Sequence, residues 1–385
     1  MKLPTSVPTQ TITQLSPSVY EVLLQCRARG SWAAHGDRAA LPLLPHALLG
    51  TAFHATVEAA NKGALANLDP EAQLAEARDS FDASAQRVHA RAHPLLRTKF
   101  PVVEKVPYYN LFRERAALEA QHCATRLVPV DSRPVTAAHS DTHPVAERRL
   151  VSADGKVAGR ADLIDRVAEE VVDYKTGPRP TDGVDDVSDA EIRQLTLYTH
   201  LAHDNGIPIA RGVIARANGI RSTIAISREQ AAREGQRARD ILNDYNSRAG
   251  EPFEAAAQPS AQACRFCPCI PFCEAFWRSA RPEWADDCGV HAEGIIHDIE
   301  TTSIQGVGLT TVRIDLTRGT VASGHVHIEQ MPNSWIEADG TGPLRAGETV
   351  RIVYGRVASE SPSRVLRVDR VATSIWTVGS PVSSG

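Results

Sequence analysis

Residues 159–177, GRADLIDRVAEEVVDYKTG, constrain this chain more than any other stretch. Two runs rich in apolar residues flank a polar turn at Ala168–Glu170, so they read as neighbouring strands of one hairpin. Alternation along the second strand puts Asp173 and Lys175 on one face, and hairpin pairing brings Asp162 of the first strand beside Asp173. Two carboxylates then converge on a spot suited to a hard cation, and a lysine reaches the same spot. Phosphodiester hydrolysis needs such a set: a cation to neutralise the scissile phosphate and lower the pKa of a bound water, and a group to steer that water. Lysine suits the second task better than arginine, whose proton is not released near neutrality. Only six of the 42 cationic residues are lysines, which makes Lys175 in this setting more noticeable. A D-x-K triplet alone is common at polar strand ends, so its surroundings decide.

Around this hairpin the pattern is mixed. Amphipathic helical stretches are expected near 17–28, 46–60, 70–91, 107–125, 187–204 and 228–247. Strands are expected at 144–152, 157–166, 169–175, 209–217 and 220–226, with Asp154-Gly155 and Asn218-Gly219 turning two hairpins. This is an α/β unit with helices early and a mixed sheet in the middle. Gly177 to Asp189, with Pro178, Pro180 and Gly183, has the composition of a mobile loop. After Trp284 the character changes, and residues 290–378 are rich in Val, Ile and Thr with turns at Gly306, Gly319, Gly340 and Gly347. That tail reads as about five strands, and LRAGETVRIVYGRV followed by SRVLRVDRV looks like the closing part of a small OB-like β-barrel. The expected division is therefore 1–285 for the α/β domain and 289–385 for a small all-β domain, which serves a structural or partner-docking role as readily as nucleic-acid binding.

A net charge of -4 argues against a basic coat over the whole molecule, so contact with nucleic acid rests on local patches. Residues 205–250 carry eight arginines against four acids, among them Arg211, Arg216, Arg221 and Arg228, and form a candidate backbone track. No apolar stretch approaches the roughly 18 residues that span a bilayer, and the polar start MKLPTSVPTQ lacks an export pattern, so no membrane contact and a cytoplasmic location are expected. In that reducing setting seven cysteines with tight clustering point to metal or cluster ligation ahead of disulfides. Cys264-x2-Cys267-x5-Cys273 is a compact ligand run that needs a fourth ligand from elsewhere, and its spacing admits zinc or an iron-sulfur cluster. Cys269 lies inside the run and could compete for ligation, while Cys123 and Cys288 read as buried inert thiols.

The ordered blocks SPSVYEVLLQC, LLGTAFHATVE, GRADLIDRV, VVDYKTG, QLTLYTHLA and CRFCPCIPFC together resemble the RecB-like branch of the PD-(D/E)xK nuclease superfamily, which includes recombination nucleases and cluster-bearing nucleases of CRISPR spacer acquisition. The resemblance covers roughly residues 15–280 and implies a restriction-endonuclease-like fold, a mixed sheet core flanked by helices. It also implies a metal-dependent DNA nuclease, with single strands or free ends as substrate and exonuclease action in repair, recombination or defence. By the same resemblance His54, in Gly50-x-x-x-His54, is an additional metal ligand beside Asp162 and Asp173, and Lys175 is the catalytic lysine. Gln194 and Tyr198, four apart on one helical face, match a block that lies beside the active site and contacts DNA. Ala161 stands where the superfamily name implies proline, and Glu147 is a candidate further acid. A His-Asp-Asp set favours Mn²⁺ at least as much as Mg²⁺. The resemblance further implies a 4Fe-4S cluster held by Cys26 with Cys264, Cys267 and Cys273. The competing reading is a nuclease fold that no longer cuts and serves as a DNA-binding or scaffolding subunit, and a third is a zinc-stabilised interaction protein.

Overall fold

The strands expected in the middle of the chain form one sheet in the computed structural model, which describes residues 1–4, 8–42, 44–127, 145–177, 187–322, 324–340, 342–357, 365–369 and 371–378. They are β1 (Val145–Val151), β2 (Ala158–Asp165), β3 (Glu170–Lys175), β4 (Arg211–Arg216) and β5 (Arg221–Ala225), in the spatial order β1-β2-β3-β4-β5. Neighbours are antiparallel except β3 and β4, which run parallel with Lys175 level with Arg216. A parallel pair needs a crossover, and the helix Asp189–Asp204 lies between these strands in the chain. The centre of the expected loop, 178–186, lies outside the described residues.

Eight helices frame the sheet: α1 (Pro17–Gln25), α2 (Arg27–His35), α3 (Pro45–Asn61), α4 (Pro70–Ala90), α5 (Pro94–Lys99), α6 (Tyr109–Leu127), α7 (Asp189–Asp204) and α8 (Arg228–Ser247). Their starts follow local chemistry. Asp69 caps α4 by accepting from the Glu71 and Ala72 N–H groups, and Ser188 and Glu191 close a reciprocal capping box on α7. Helices α3, α4 and α6 pack on one face of the sheet against Leu163, Val172 and Val213, and α1, α7 and α8 cover the other against Ile164, Val171 and Ile214. Phe53 and Phe81 are fully buried in the first layer, each stabilising it by about 2 kcal/mol.

The helix expected over 17–28 is two helices. Cys26 separates α1 from α2 with an extended backbone (φ -161°, ψ 120°), yet its N–H bonds Val22 and its carbonyl accepts from Gly30. It therefore closes one helix and opens the next. The short α5 was not anticipated; Pro94 starts it, and the His93 ring accepts from the Leu95 N–H.

After a run of short helices between Phe253 and Cys288, a second sheet forms from β6 (Val290–Ile304), β7 (Val307–Gly319), β8 (His325–Pro332), β9 (Thr349–Val357), β10 (Val365–Arg367) and β11 (Ser374–Val378). Pairing runs β6-β7-β8-β10 and, because β10 also bonds to β9 and β9 to β6, the ladder returns to its start with β11 added on β9. Ile296, Ile314, Ile328, Ile352 and Leu366 pack together in one buried apolar cluster.

This sheet is seated on the cysteine segment. Val353 and Trp376 share an apolar cluster with Cys269, Ile270 and Trp277. Arg351, almost fully buried, donates to Glu293 Oε2 at 2.6 Å and to the Pro271 carbonyl at 2.9 Å, and also pairs with Glu274. Arg318 completes the group by pairing with both glutamates. Among the described residues no helix is long and apolar enough to cross a membrane.

Candidate active site and cysteine centre

Asp173 and Lys175 leave β3 on one face at its C-terminal end, as alternation requires. Lys175 Nζ lies 2.7 Å from Asp173 Oδ2 and donates to Gln194 Oε1 of α7 at 2.8 Å. Asp162 arrives from β2, and its Oδ2 accepts the Tyr174 backbone N–H at 2.7 Å. The β2–β3 ladder stops at Leu163 and Val172, so this carboxylate stands in for the next rung. Its other oxygen lies 3.5 Å from His54 Nδ1 on α3. Gly50, one turn before His54, permits that approach, because a Cβ there would lie 2.6 Å from Thr176 Oγ1 just past β3.

Burial raises the Asp173 carboxyl to about 6, with the Asp162 charge adding to the rise and Lys175 opposing it. For His54 burial works downward, but the hydrogen bond and charge of Asp162 outweigh it and the net shift is upward. Asp173 Oδ2 is buried with the Lys175 ammonium 2.7 Å away. A buried carboxylate beside a second carboxylate is a cation-seeking arrangement. The residues present therefore fit a divalent metal, although His54, Asp162 and Asp173 do not bring one donor atom each within 4.8 Å of one another.

Of the two α7 residues, Gln194 reaches the lysine while Tyr198 turns inward. Tyr198 is 7% exposed in the core, and a Cβ at Gly159 would lie 2.9 Å from its ring. The backbone of Glu147 belongs to β1, but its side chain lies outside the described residues. Three of the eight arginines of 205–250 pair with carboxylates on different elements. Arg211 sits at the far end of β4, level with Glu170, and pairs with it, whereas Arg216 is buried beside Lys175 and pairs with Glu191 at 3.1 Å. Arg221 pairs with Glu119. Arg216, read in sequence as a candidate backbone contact, pairs with the capping-box glutamate at the start of α7, the helix that carries Gln194. The Ser188-x-x-Glu191 spacing was the available signal for that helix start.

The sequence matches the PD-(D/E)XK nuclease superfamily over residues 14–274. The chain belongs to this superfamily. Its members are generally nucleases and typically use divalent metals such as Mg²⁺ or Mn²⁺. No individual curated protein matches the chain. The matched PD-(D/E)XK range takes in the whole first sheet, His54, Gln194 and the cysteine run, and stops before the second sheet. Asp173-Tyr174-Lys175 has the (D/E)XK pattern.

Cys26, near the start of the PD-(D/E)XK range, and Cys264, Cys267, Cys269 and Cys273, at its end, line one small cavity. The Gln258 N–H donates to Cys26 Sγ at 3.4 Å, fastening the gap between α1 and α2 to the returning chain. Burial and the neighbouring thiols push Cys264 up to about 12 and Cys273 above the ordinary thiol range, while a hydrogen bond from Cys269 brings Cys267 down to about 7. Cys269 thus shares the cavity with the four expected ligands. Cys123, 3.4 Å from the Tyr174 hydroxyl, is buried elsewhere, whereas Cys288 shares one apolar cluster with the cavity cysteines and adds to the rise of Cys264.

Proposed function

We propose that the chain is a metal-dependent deoxyribonuclease, an exonuclease acting on single strands or free DNA ends. The observation that carries this reading is Lys175, held between Asp173 and Gln194 at the end of β3, with Asp162 and His54 alongside. Asp162, Asp173 and His54 would hold Mn²⁺ or Mg²⁺, which when bound supplies charge neutralisation at the scissile phosphate and a more acidic water. Gln194 orients the Lys175 amine, which is then placed to hold or pass a proton at the attacking water. The Tyr174 N–H fixes one oxygen of Asp162 and leaves the other facing His54. Arg216, through Glu191, keeps α7 and Gln194 in place.

Cys26, Cys264, Cys267 and Cys273 would hold a 4Fe-4S cluster that ties the N-terminal helices to the end of the nuclease domain. In this reading residues 1–285 are the nuclease domain and 289–385 an OB-like barrel; the returning ladder, the parallel β8–β10 pair and the helical turn Asn333–Ile336 between β8 and β9 support it.

The test is incubation of anaerobically purified full-length protein with end-labelled single- and double-stranded DNA in Mn²⁺, Mg²⁺ or chelator, beside Asp173→Ala. Metal-dependent shortening that is absent in Asp173→Ala is expected. A brown, folded protein that binds DNA and cuts none of the substrates would instead establish the non-cutting DNA-binding subunit.

A further inference from the structure

We infer a second metal site, on the outer surface of the β6–β11 sheet, formed by His297, Asp315 and His325 and suited to a borderline divalent transition ion such as Zn²⁺. It is independent of the nuclease reading. Asp315 sits on β7 and is paired directly with His325 on β8 and with Ile295 on β6. Between Ile296 and Asp298 the β6–β7 register slips, so His297 is the extra residue of a β-bulge. Bulges bend a strand and re-aim a side chain, and here the result is a ring delivered to Asp315 from a strand that would otherwise pass it by. Three adjacent strands thus each contribute one ligand-type side chain to one point.

The distances suit an ion. Asp315 Oδ1 lies 2.7 Å from His325 Nδ1 and 3.3 Å from His297 Nδ1. A four-coordinate ion with bonds of about 2.0 to 2.2 Å separates its donors by ~3.3 Å, so small rotations of the side chains suffice to admit it. The two imidazoles stand 5.6 Å apart, centroid to centroid, at 74°, close to the roughly 5 Å that two rings on one such ion adopt. Among the described residues this is the group in which three His, Cys, Asp or Glu donors lie within 4.8 Å of one another.

The donor set also defines the ion. Two imidazoles and one carboxylate suit Zn²⁺, Ni²⁺, Co²⁺ or Cu²⁺, whereas Mg²⁺ prefers an all-oxygen shell. All three side chains are exposed, so the ion enters from solvent and keeps its remaining positions for water. Without metal, one carboxylate oxygen serves both imidazoles; with metal, the same atoms clip β6, β7 and β8 together.

The experiment uses the full chain without a polyhistidine tag, stripped with chelator and equilibrated by dialysis against micromolar Zn²⁺ in millimolar Mg²⁺. Wild type is compared with His297→Ala, His325→Ala and Asp315→Asn, and metal per chain is counted. Zinc taken up by the cysteines or by Asp162 and Asp173 is common to all four proteins and cancels in the difference. Each variant is expected to bind one zinc fewer per chain and to lose the Co²⁺ visible absorption of a nitrogen and oxygen site. Zinc should raise the melting temperature of wild type more than that of His325→Ala. Because these positions are exposed, the variants' metal-free circular dichroism should match wild type. Equal zinc counts and equal Co²⁺ spectra in all four folded proteins would overturn the site.

Discussion

Arg351→Met tests whether the second sheet is a structural wall of the cysteine centre. Methionine keeps most of the apolar stem but removes a guanidinium whose side chain is 3% exposed and which holds Glu293, Glu274 and the Pro271 carbonyl at once. Removing one partner of a buried ion pair costs about 3 to 5 kcal/mol, because the other charge stays buried without compensation. Arg318 still pairs with both glutamates, which places the expected loss near the lower end, about 3 kcal/mol. With an m-value of roughly 3 kcal/mol/M, the urea midpoint falls by about 1 M. Tryptophan fluorescence reads the transition, since Trp277 and Trp376 are buried in the same cluster. Glu293→Gln and the double variant complete a cycle, in which a coupling of about 1 to 3 kcal/mol is expected between residues in direct contact. A midpoint within 0.2 M of wild type (an arbitrary limit of about 0.6 kcal/mol at the same m-value), with no coupling, would refute the structural role assigned to this network.

Three further outcomes are expected. Gln194→Leu removes a hydrogen bond to Lys175 and should lower kcat by roughly 10- to 100-fold with KM little changed, measured by single-turnover cleavage; an unchanged kcat would show that Gln194 does not position the amine. Gly50→Ala should destabilise by about 1 to 3 kcal/mol and slow cleavage, while Thr176→Ala in the same chain restores both, because the nearest remaining Thr176 atom is then 3.7 Å from the new methyl. His291 is buried and its pKa is pushed down to about 4 by burial, so between that value and about 6.5 the unfolded chain binds the extra proton and stability is lost as pH falls, by about 3 kcal/mol in all. His291→Gln should flatten the stability curve across that window, and an identical pH slope in the two proteins would assign it to other groups.

Much of the first sheet was legible because its signals are local. Alternation set β1 to β5 within a residue or two, and amphipathic periodicity marked α4 and α7. The gap at Cys26 was hidden because apolar periodicity runs through it and only tertiary packing turns α2 away. The six-residue α5 is too short to carry a period. Arg216 looks like a surface cation in sequence; that it is buried follows from the parallel pairing that lines it up with Lys175 beside the start of α7. Gln194 and Tyr198 share a helical face, but that face straddles the boundary between site and core, so one reaches the lysine and the other packs on Gly159. Convergence of His54 with Asp162 depends on how closely α3 approaches Thr176, and Gly50 was its sole sequence trace. In the second sheet the three-residue β10 returns the ladder to its start, and no periodicity can be read from three residues.

The cysteine cavity has walls from opposite ends of the PD-(D/E)XK range, Cys26 near its beginning and Cys264 to Cys273 at its end. About 240 residues separate them, which at roughly 5 to 20 residues per second is some 12 to 48 s of synthesis. For most of that interval Cys26 has been made and the other four cysteines that line the cavity have not. Closing the cavity is therefore a late event, after all five strands of the first sheet have been made, and the chain has a window in which Cys26 is open to oxidants.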